Sequence, residues 1–275
     1  MNKRGQLMII VIVAILIIAI GLLVYFFWPK ISSMLMNEDQ ASRFLSSQAE
    51  PMRQSVADCV KQVSQEGFDK IGQQAGYYDI TGLPQIYFIE KYFVVVVYKN
   101  TNKARINALP SKAGISREFE TYLEKEGNQK IDDCLNNFAG YKRVMEVETG
   151  ERKITPIIYE ESVLISTDWP IKISKPLLSK KVSQTINQKP VELLIPLGNL
   201  HKVASDIVDC DVQVSCKFTG DTWDHYTGNN PYLLRYILKR ELNADDPNKR
   251  VFLLESIPYR PGETPFKFNF GEDFS

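Results

Sequence analysis

The chain has 275 residues, with 33 Lys and Arg against 33 Asp and Glu, so its formal net charge is zero. Hydrophobic residues make up 44% of the sequence. This excludes an intrinsically disordered chain, because disorder combines few apolar residues with a large net charge. The charge balance also excludes a nucleic-acid binder that depends on bulk basic charge, so no nucleic-acid partner is expected. The length allows one large domain or two small ones.

Residues 7–28 form a run of 22 residues without a charge, in which Gly21 is the only residue outside the hydrophobic set. A helix of this length spans about 33 Å, which is enough for a hydrocarbon core of roughly 30 Å. The run therefore predicts a single transmembrane helix. Because Lys3 and Arg4 precede it and only Lys30 follows closely, the positive-inside rule places the N-terminus in the cytoplasm and the rest outside the cell.

The expected organisation follows from this helix. It comprises a candidate leader over residues 1–5, a transmembrane helix over 6–28, a juxtamembrane stalk over 29–50 and an extracytoplasmic domain over 51–275, with a subdivision near residue 175. Lys3 and Arg4 are the only charges before residue 29, so the remainder carries 31 basic and 33 acidic side chains, a net charge of −2. The overall prediction is a single-pass membrane protein.

Two stretches of the expected domain show the three- and four-residue spacing of buried helix faces. The first covers residues 51–75, where Pro51 suits the first helical position. The second covers residues 116–138, where Ser116 is the expected N-cap and Gly127 is a weak position. Further helices are predicted over residues 193–209 and 232–242, and residues 175–189 are expected to form a connector or a short helix.

Strands are predicted where β-branched and aromatic residues cluster between turn residues. The run over residues 92–98 is continuous, which is typical of a strand covered on both faces. The other predicted strands are residues 86–89, 104–109, 144–148, 154–159, 163–166, 169–173, 210–218 and 251–257, and the alternating tail Phe266, Phe268 and Phe270. Residues 141–174 should form a meander. The fold class is therefore α+β with mainly antiparallel strands.

The four cysteines favour two disulfides, Cys59–Cys134 and Cys210–Cys216. Cys59 and Cys134 each lie on the apolar face of a predicted helix, and an exported chain meets an oxidising compartment. Free thiols are one alternative. A zinc or redox site is the other, although neither the Cys210–Cys216 spacing nor any C-x-x-C motif fits such chemistry.

Catalytic motifs are sparse. His201 and His225 are the only imidazoles, and His201 has no histidine partner four residues on, as a metalloprotease helix requires. The sequence contains no nucleophile-elbow, phosphate-loop or dinucleotide-binding motif. No metal site and no cofactor are predicted, and the chain is not expected to be an enzyme.

The best polar constellation is one loop. Its residues Asp221, Trp223, Asp224, His225 and Tyr226 combine two carboxylates, an imidazole and two aromatic rings. Such a loop could bind a cation, a sugar or a partner surface. The alternative is a surface turn whose aspartates cap backbone N–H groups.

The start of the chain, MNKRGQ followed directly by the apolar run, resembles the class III signal peptide of archaeal type IV pilins and pilin-like surface proteins. In that family a membrane-embedded peptidase cuts after a small residue that follows basic residues. The resemblance implies a cut between Gly5 and Gln6, with Lys3 and Arg4 as the basic pair. It also implies partners among that peptidase and other pilin-like subunits or surface proteins. An uncleaved signal anchor is the alternative.

The whole chain also resembles uncharacterised single-pass proteins of small-genome archaea. The matching pieces are Arg4-Gly5-Gln6, Cys59 and Gly76-Tyr77-Tyr78. This second resemblance implies an exported domain and brings no known activity.

Three functional hypotheses follow. The first is a pilin-like envelope protein, held in membrane lipid, with a structural or adhesive role. The second is a membrane-anchored extracytoplasmic ligand-binding or sensor module that uses the loop over residues 221–226. The third is a membrane-tethered hydrolase, which the absent motifs make the least favoured.

Overall fold

The computed structural model describes residues 15–22, 25, 36–88, 92–101, 104–178, 180–213, 235–237, 249–256 and 264–273. The chain divides into two compact units. Unit 1 comprises Met1–Ser55, Leu135–Glu151 and Trp169–Gln188. Unit 2 comprises Val56–Cys134, Arg152–Asp168 and Lys189–Ser275.

Within the described residues, no helix combines the length and the apolar character that crossing a membrane requires. The predicted membrane segment is described at Tyr25 and in helix α1, residues 15–22, whose side chains are exposed. The predictions of a transmembrane helix, a signal anchor and a single-pass location with an extracytoplasmic domain are therefore wrong. Residues 7–14, 23–24 and 26–28 lie outside the described residues.

The described elements mix helices and strands, as the α+β prediction expected. The further helices are α2 (Glu38–Gln73), α3 (Lys112–Tyr122), a π-helix (Leu123–Gly127), α4 (Asn128–Cys134), a 3-10 helix (Asn136–Phe138), α5 (Ala139–Lys142) and α6 (Leu197–Gln213). The strands are β1 (Gln85–Phe88), β2 (Tyr92–Thr101), β3 (Ala104–Asn107), β4 (Glu146–Thr149), β5 (Lys153–Ile158), β6 (Val163–Asp168), β7 (Ile171–Pro176), β8 (Lys181–Ile186), β9 (Val191–Leu193), β10 (Arg235–Ile237), β11 (Lys249–Glu255) and β12 (Lys267–Asp273).

Helix α2 begins upstream of the predicted start, and Pro51 lies inside it. Asn37 and Gln40 form a reciprocal cap: the Gln40 N–H donates to Asn37 Oδ1 at 2.8 Å, and the Asn37 N–H donates to Gln40 Oε1 at 3.1 Å. The first half of the helix has a buried face at four-residue spacing, formed by Ala41, Leu45 and Ala49. Residues 38–50, expected as part of a stalk, are thus helical with a buried side.

Unit 1 contains an antiparallel sheet in the order β4-β7-β8. Alternate residues of β7 face the interior: Ile171 and Ile173 are fully buried, and Lys175 is 5% exposed. The Lys175 ammonium donates to the Val144 carbonyl and lies 5.0 Å from the centroid of the Phe44 ring. Burial lowers the pKa of Lys175. Its carbonyl and ring contacts stabilise the buried charge.

The opposite face of that sheet is polar. Lys181 lies 2.6 Å from Glu146 and 3.2 Å from Glu148, and Lys172 lies 3.5 Å from Glu148. These cross-strand pairs are exposed, so each contributes little to stability. They do make this face hydrophilic, in the alternating pattern of an antiparallel sheet with one wet side.

In unit 2, α2 and α3 pack with very close contact. A Cβ added at Gly67 would lie 2.5 Å from Tyr122 Cε1, so only glycine admits the tyrosine ring. Phe68 and Phe119 stack beside it with centroids 4.4 Å apart. Helix α3 starts earlier than predicted: Ser111, and not Ser116, is the N-cap, and its hydroxyl accepts from the Gly114 N–H.

The large sheet of unit 2 has the order β1-β2-β12-β11-β10, with β3 also paired to β2. Strand β12 pairs with β2 in parallel, and the other pairs are antiparallel. Its core includes the stacked rings of Phe252 and Phe270, with centroids 4.8 Å apart. The continuous run predicted as a doubly covered strand is β2, where Val95, Val96 and Val97 are all buried. The alternating tail is β12, where Phe268 and Phe270 are fully buried.

A second sheet of unit 2 has the order β5-β6-β9 and is antiparallel throughout. Helix α3 packs on β5, and α6 starts against the β5–β6 turn. The Asn199 N–H donates to the Glu160 carbonyl at 3.0 Å. A Cβ at Gly198 would overlap the Tyr159 carbonyl oxygen and lie 2.9 Å from Glu160 Cα. Glycine is needed here because two backbones approach closely.

Several sequence predictions are wrong. Residues 141–174 form strands but no meander, because β4 pairs with β7 in unit 1 while β5 pairs with β6 in unit 2. Residues 175–189, expected as a connector or short helix, contain β8. Residues 210–213, expected in a strand, continue α6. Residues 235–237, expected in a helix, form β10. Strand pairing decided the arrangement of β4, β5, β8 and β10, and a local sequence pattern does not show which strands pair.

The close approach at Gly198 predicts the effect of adding a methyl group. Gly198→Ala should lower the free energy of unfolding by about 1–3 kcal/mol, because the backbone of the β5–β6 turn must move. Gly140→Ala is the matched control: nothing lies within 4 Å of its added Cβ, and alanine favours a helix by up to about 1 kcal/mol. Urea unfolding of both variants measures the difference. Equal midpoints would contradict the predicted contact.

Candidate functional site

The outer face of the β5-β6-β9 sheet departs from the usual pattern of an antiparallel sheet. Its inner face is apolar and buried, with Ile154, Val163, Ile165 and Leu193 each at most 6% exposed. The outer face should then be polar, because it faces solvent. Ile157, Tyr159 and Leu194 are instead exposed by 44%, 50% and 49%.

These residues form a continuous apolar cluster. Ile157 on β5 lies directly opposite Leu164 on β6, which is half-buried. Tyr159 follows two positions after Ile157, and Leu194 follows two positions after Glu192, the residue opposite Leu164 on β9. Directly opposite and diagonal positions of one sheet face lie within about 4.5–8 Å, so these side chains are neighbours. We call Ile157, Tyr159, Leu164 and Leu194 the contact face.

The sequence carries a signal for this surface. Three consecutive apolar residues occur in β5 and β6 and at the end of β9: Pro156-Ile157-Ile158, Val163-Leu164-Ile165 and Leu193-Leu194-Ile195. Such runs are typical of strands covered on both faces. The middle residue of each triplet points outward: Ile157 and Leu194 are exposed, and Leu164 is half-buried. Sequence reasoning missed this face because it predicted β5 and β6 without their exposed sides and did not predict β9, assigning residues 193–209 to a helix.

Acidic residues surround the contact face. Glu160 and Glu161 occupy the β5–β6 turn, and Glu192 lies opposite Leu164; all three are exposed. Further along the same face, Lys153 lies opposite Asp168. The turn and the outer face therefore carry four carboxylates and one ammonium group.

A second polar cluster lies between α2, the segment after it and the π-helix. Glu126 accepts from Lys70 at 2.6 Å, from the Tyr78 hydroxyl at 2.7 Å and from Lys130 at 3.1 Å. Lys70 lies 4.6 Å from the Tyr78 ring centroid, and Lys130 lies 5.6 Å from the Tyr122 ring centroid. We call Lys70, Tyr78, Tyr122, Glu126 and Lys130 the Tyr78 cluster. The π-helix, a rare element that often marks functional sites, contributes its carboxylate.

Electrostatics hold Glu126, Tyr78 and Tyr122 each in one protonation state at neutral pH. The three donors lower the pKa of Glu126 to about 2. Desolvation and the hydrogen bond to Glu126 raise the pKa of Tyr78 to about 12, and desolvation raises the pKa of Tyr122 to about 12. A general acid or base needs a pKa near the working pH. At neutral pH these groups neither gain nor lose protons, so the cluster is suited to holding the helices and not to proton transfer.

Cys59 and Cys134 form a disulfide with their Cα atoms 5.9 Å apart. The bridge joins α2 to the last residue of α4. Cys59 is 7% exposed, whereas Cys134 is exposed, so the bridge lies at the edge of the core and not inside it as the two apolar helix faces suggested. Cys210 lies in α6, and Cys216 is outside the described residues, so the Cys210–Cys216 pairing stays a prediction.

His201 is part of the packing of α6. Its Nε2 lies 2.7 Å from the Pro110 carbonyl oxygen, and its ring meets the Phe268 ring edge-on at 6.3 Å. Burial is the main cause that lowers the pKa of His201; Lys112 lowers it further, and the Pro110 hydrogen bond opposes both. The neutral ring with Nε2 protonated can donate to the carbonyl. His201 thus stabilises the contact of α6 with its neighbours.

Other predicted site residues are not placed. Lys3, Arg4, Gly5 and Gln6 lie outside the described residues, and the predicted cut between Gly5 and Gln6 stays a prediction. The loop with Asp221, Trp223, Asp224, His225 and Tyr226 also lies outside them. Within the described residues, no group of three His, Cys, Asp or Glu side chains is arranged to hold a metal ion. No family model, curated protein or solved structure matches this chain.

The disulfide predicts a redox-dependent stability. Cys59→Ser with Cys134→Ser should lower the free energy of unfolding by about 2–5 kcal/mol, because the bridge closes a long loop, with a sequence separation of 75 residues, in the unfolded chain. The test uses a Cys210→Ser, Cys216→Ser background, which removes the second predicted bridge. Adding dithiothreitol to this background should produce the same loss, and it should have no effect once Cys59 and Cys134 are also serine. Urea midpoints in the four conditions measure this. A urea midpoint that does not change when the reductant is added to a protein with both Cys59 and Cys134 would contradict the prediction.

The environment of His201 predicts a pH dependence. Its folded pKa is depressed, so its stabilising effect is complete above the unfolded pKa of about 6.5 and is lost as the pH falls through the folded value. The melting temperature should fall by a few degrees between pH 7.5 and pH 5.5. His201→Gln keeps a donor for the Pro110 carbonyl but does not titrate, so its melting temperature should change less. Parallel curves for the two proteins would refute the assignment.

Proposed function

We propose that this chain is a protein-contact module with a structural or adhesive role, and that it works by binding another protein and not by catalysis. The contact face is the observation that carries this proposal. Ile157, Tyr159 and Leu194 expose about half of their surface on a sheet whose other side is already packed. Contiguous exposed apolar residues with a polar rim typically mark interaction sites in folded proteins.

The composition of the face favours a protein partner. It combines branched aliphatic side chains with one tyrosine, and tyrosine is enriched in protein interfaces. The surrounding glutamates supply the polar rim that such interfaces have around an apolar centre. The exposed face of the β4-β7-β8 sheet offers a contrast within the same chain, because paired charges cover it.

The polar groups of the described residues support binding over catalysis. In the Tyr78 cluster, Glu126 is saturated by three donors and the two phenols stay protonated at neutral pH. His201 is held between a carbonyl and an aromatic ring. A catalytic constellation needs a nucleophile and a base in reach of each other and of a substrate. The Tyr78 cluster and His201 instead stabilise contacts between helices and the segments that pack against them.

Photo-crosslinking in the source cells tests the proposal. A benzoylphenylalanine at position 157 should form a discrete protein adduct, because that position lies at the centre of the contact face. The matched control is the same residue at Thr185, an exposed position on the polar face of the other three-stranded sheet. Leu164→Ser should abolish the adduct formed from position 157. Similar adducts from both positions, or none from position 157, would contradict a contact function.

A further inference from the structure

We propose that the partner covering the contact face is a protein segment in which apolar side chains alternate with lysine or arginine. This inference rests on the proposed contact function and adds the chemistry of the partner. Apolar side chains would fill the space above Ile157 and Leu164, and basic side chains would meet the surrounding carboxylates.

The charges near the apolar cluster are of one sign. Glu192 lies directly opposite Leu164, and Glu160 directly follows Tyr159. Within the described part of the chain, neither carboxylate forms an ion pair, whereas the glutamates of the polar β4-β7-β8 face are each paired with lysine. The single lysine of the outer face, Lys153, lies opposite Asp168. A basic partner would therefore find carboxylates close to the apolar centre.

The same charges disfavour a second copy of this chain as the occupant. In a two-fold contact each contact face would lie against its own equivalent. The glutamates of the two copies would then face each other around the interface, and like charges across an interface are costly. A segment of opposite charge removes this repulsion.

The face, and not a sheet edge, offers the larger recognition surface. Edge strand β9 has only three residues, and edge strand β5 contains Pro156, which has no N–H to donate. Adding a strand at either edge would gain few main-chain hydrogen bonds. The side chains of the contact face must therefore supply most of the affinity. Lysine and arginine suit the partner, since their apolar stems can lie on the face while their charged ends reach the glutamates.

Synthetic peptides test the inference with the full-length protein. The probe is a labelled peptide of about seven residues that alternates leucine and lysine, which places the leucines on one side when extended. The comparison peptide alternates leucine and glutamate. Fluorescence anisotropy should show at least tenfold tighter binding of the leucine–lysine peptide. Raising the salt concentration should reduce the difference, because salt screens exposed charges.

Charge-reversal variants test whether the glutamates beside the contact face cause the preference for the leucine–lysine peptide. Glu160→Lys with Glu192→Lys should reverse the preference, so that the leucine–glutamate peptide binds more tightly. Glu120→Lys with Glu124→Lys is the matched control: it changes the net charge equally at two exposed glutamates of α3 and the π-helix, and should behave as wild type. Leu164→Ser should abolish binding of both peptides. Ile157→Ser is the second apolar variant, and the melting temperature of each shows whether it is folded.

The outcomes separate the inference from the function on which it rests. Equal affinity for both peptides, lost in Leu164→Ser, would overturn the basic partner and leave the contact function standing. A dimer in sedimentation that Leu164→Ser dissolves would also overturn it, because a second copy would then cover the face. No peptide binding together with no crosslink from position 157 would overturn both proposals. Charge-dependent binding that follows the rim reversal supports the inference.

Discussion

The packing of Tyr122 against Gly67 is the contact on which unit 2 depends. The ring is fully buried and occupies the space that a side chain at position 67 would need. The Tyr122 hydroxyl donates to the Val63 carbonyl at 3.2 Å, and the Phe68–Phe119 stack lies beside it. Together these contacts set the distance between α2 and α3. The Cys59–Cys134 bridge joins α2 to the end of α4, and the Tyr78 cluster joins α2 to the π-helix and α4.

Helix α3 packs on β5, and the inner residues of the β5-β6-β9 sheet lie in the core. The side-chain period of a strand is two, so burying one set of residues directs the other set outward. Here the outward set is apolar at Ile157 and Leu164. The contact face therefore arises because neighbouring outward positions of this sheet, whose outer face is otherwise polar, carry apolar residues.

The two electrostatic regions of unit 2 differ in kind. In the Tyr78 cluster, opposite charges and hydrogen bonds satisfy one another, which fixes protonation states and stabilises helix contacts. Beside the contact face, the Glu160 and Glu192 carboxylates are exposed and form no ion pair within the described part of the chain. Paired charges favour internal structure, whereas an excess of one sign attracts an outside partner of opposite sign. This difference is the physical reason why we place the proposed protein contact on the outer face of the β5-β6-β9 sheet and not at the Tyr78 cluster.

Local pattern identified much of the secondary structure. The helix ending near residue 73, the buried strand β2 and the alternating tail in β12 follow from side-chain periodicity, which depends only on neighbouring residues. The 22-residue apolar run showed the limit of such reasoning: its length predicted a membrane span, but no helix among the described residues is long and apolar enough to cross a membrane. The positions of both cysteines in the sequence predicted the Cys59–Cys134 pair, but they did not predict that Cys134 is exposed.

Only the tertiary structure placed β4 and β5 in different sheets, brought the distant residues of the Tyr78 cluster together and left Leu164 half-buried on the outer face of a sheet whose inner face is packed. Those features depend on which surfaces pack together, and packing partners are distant in sequence.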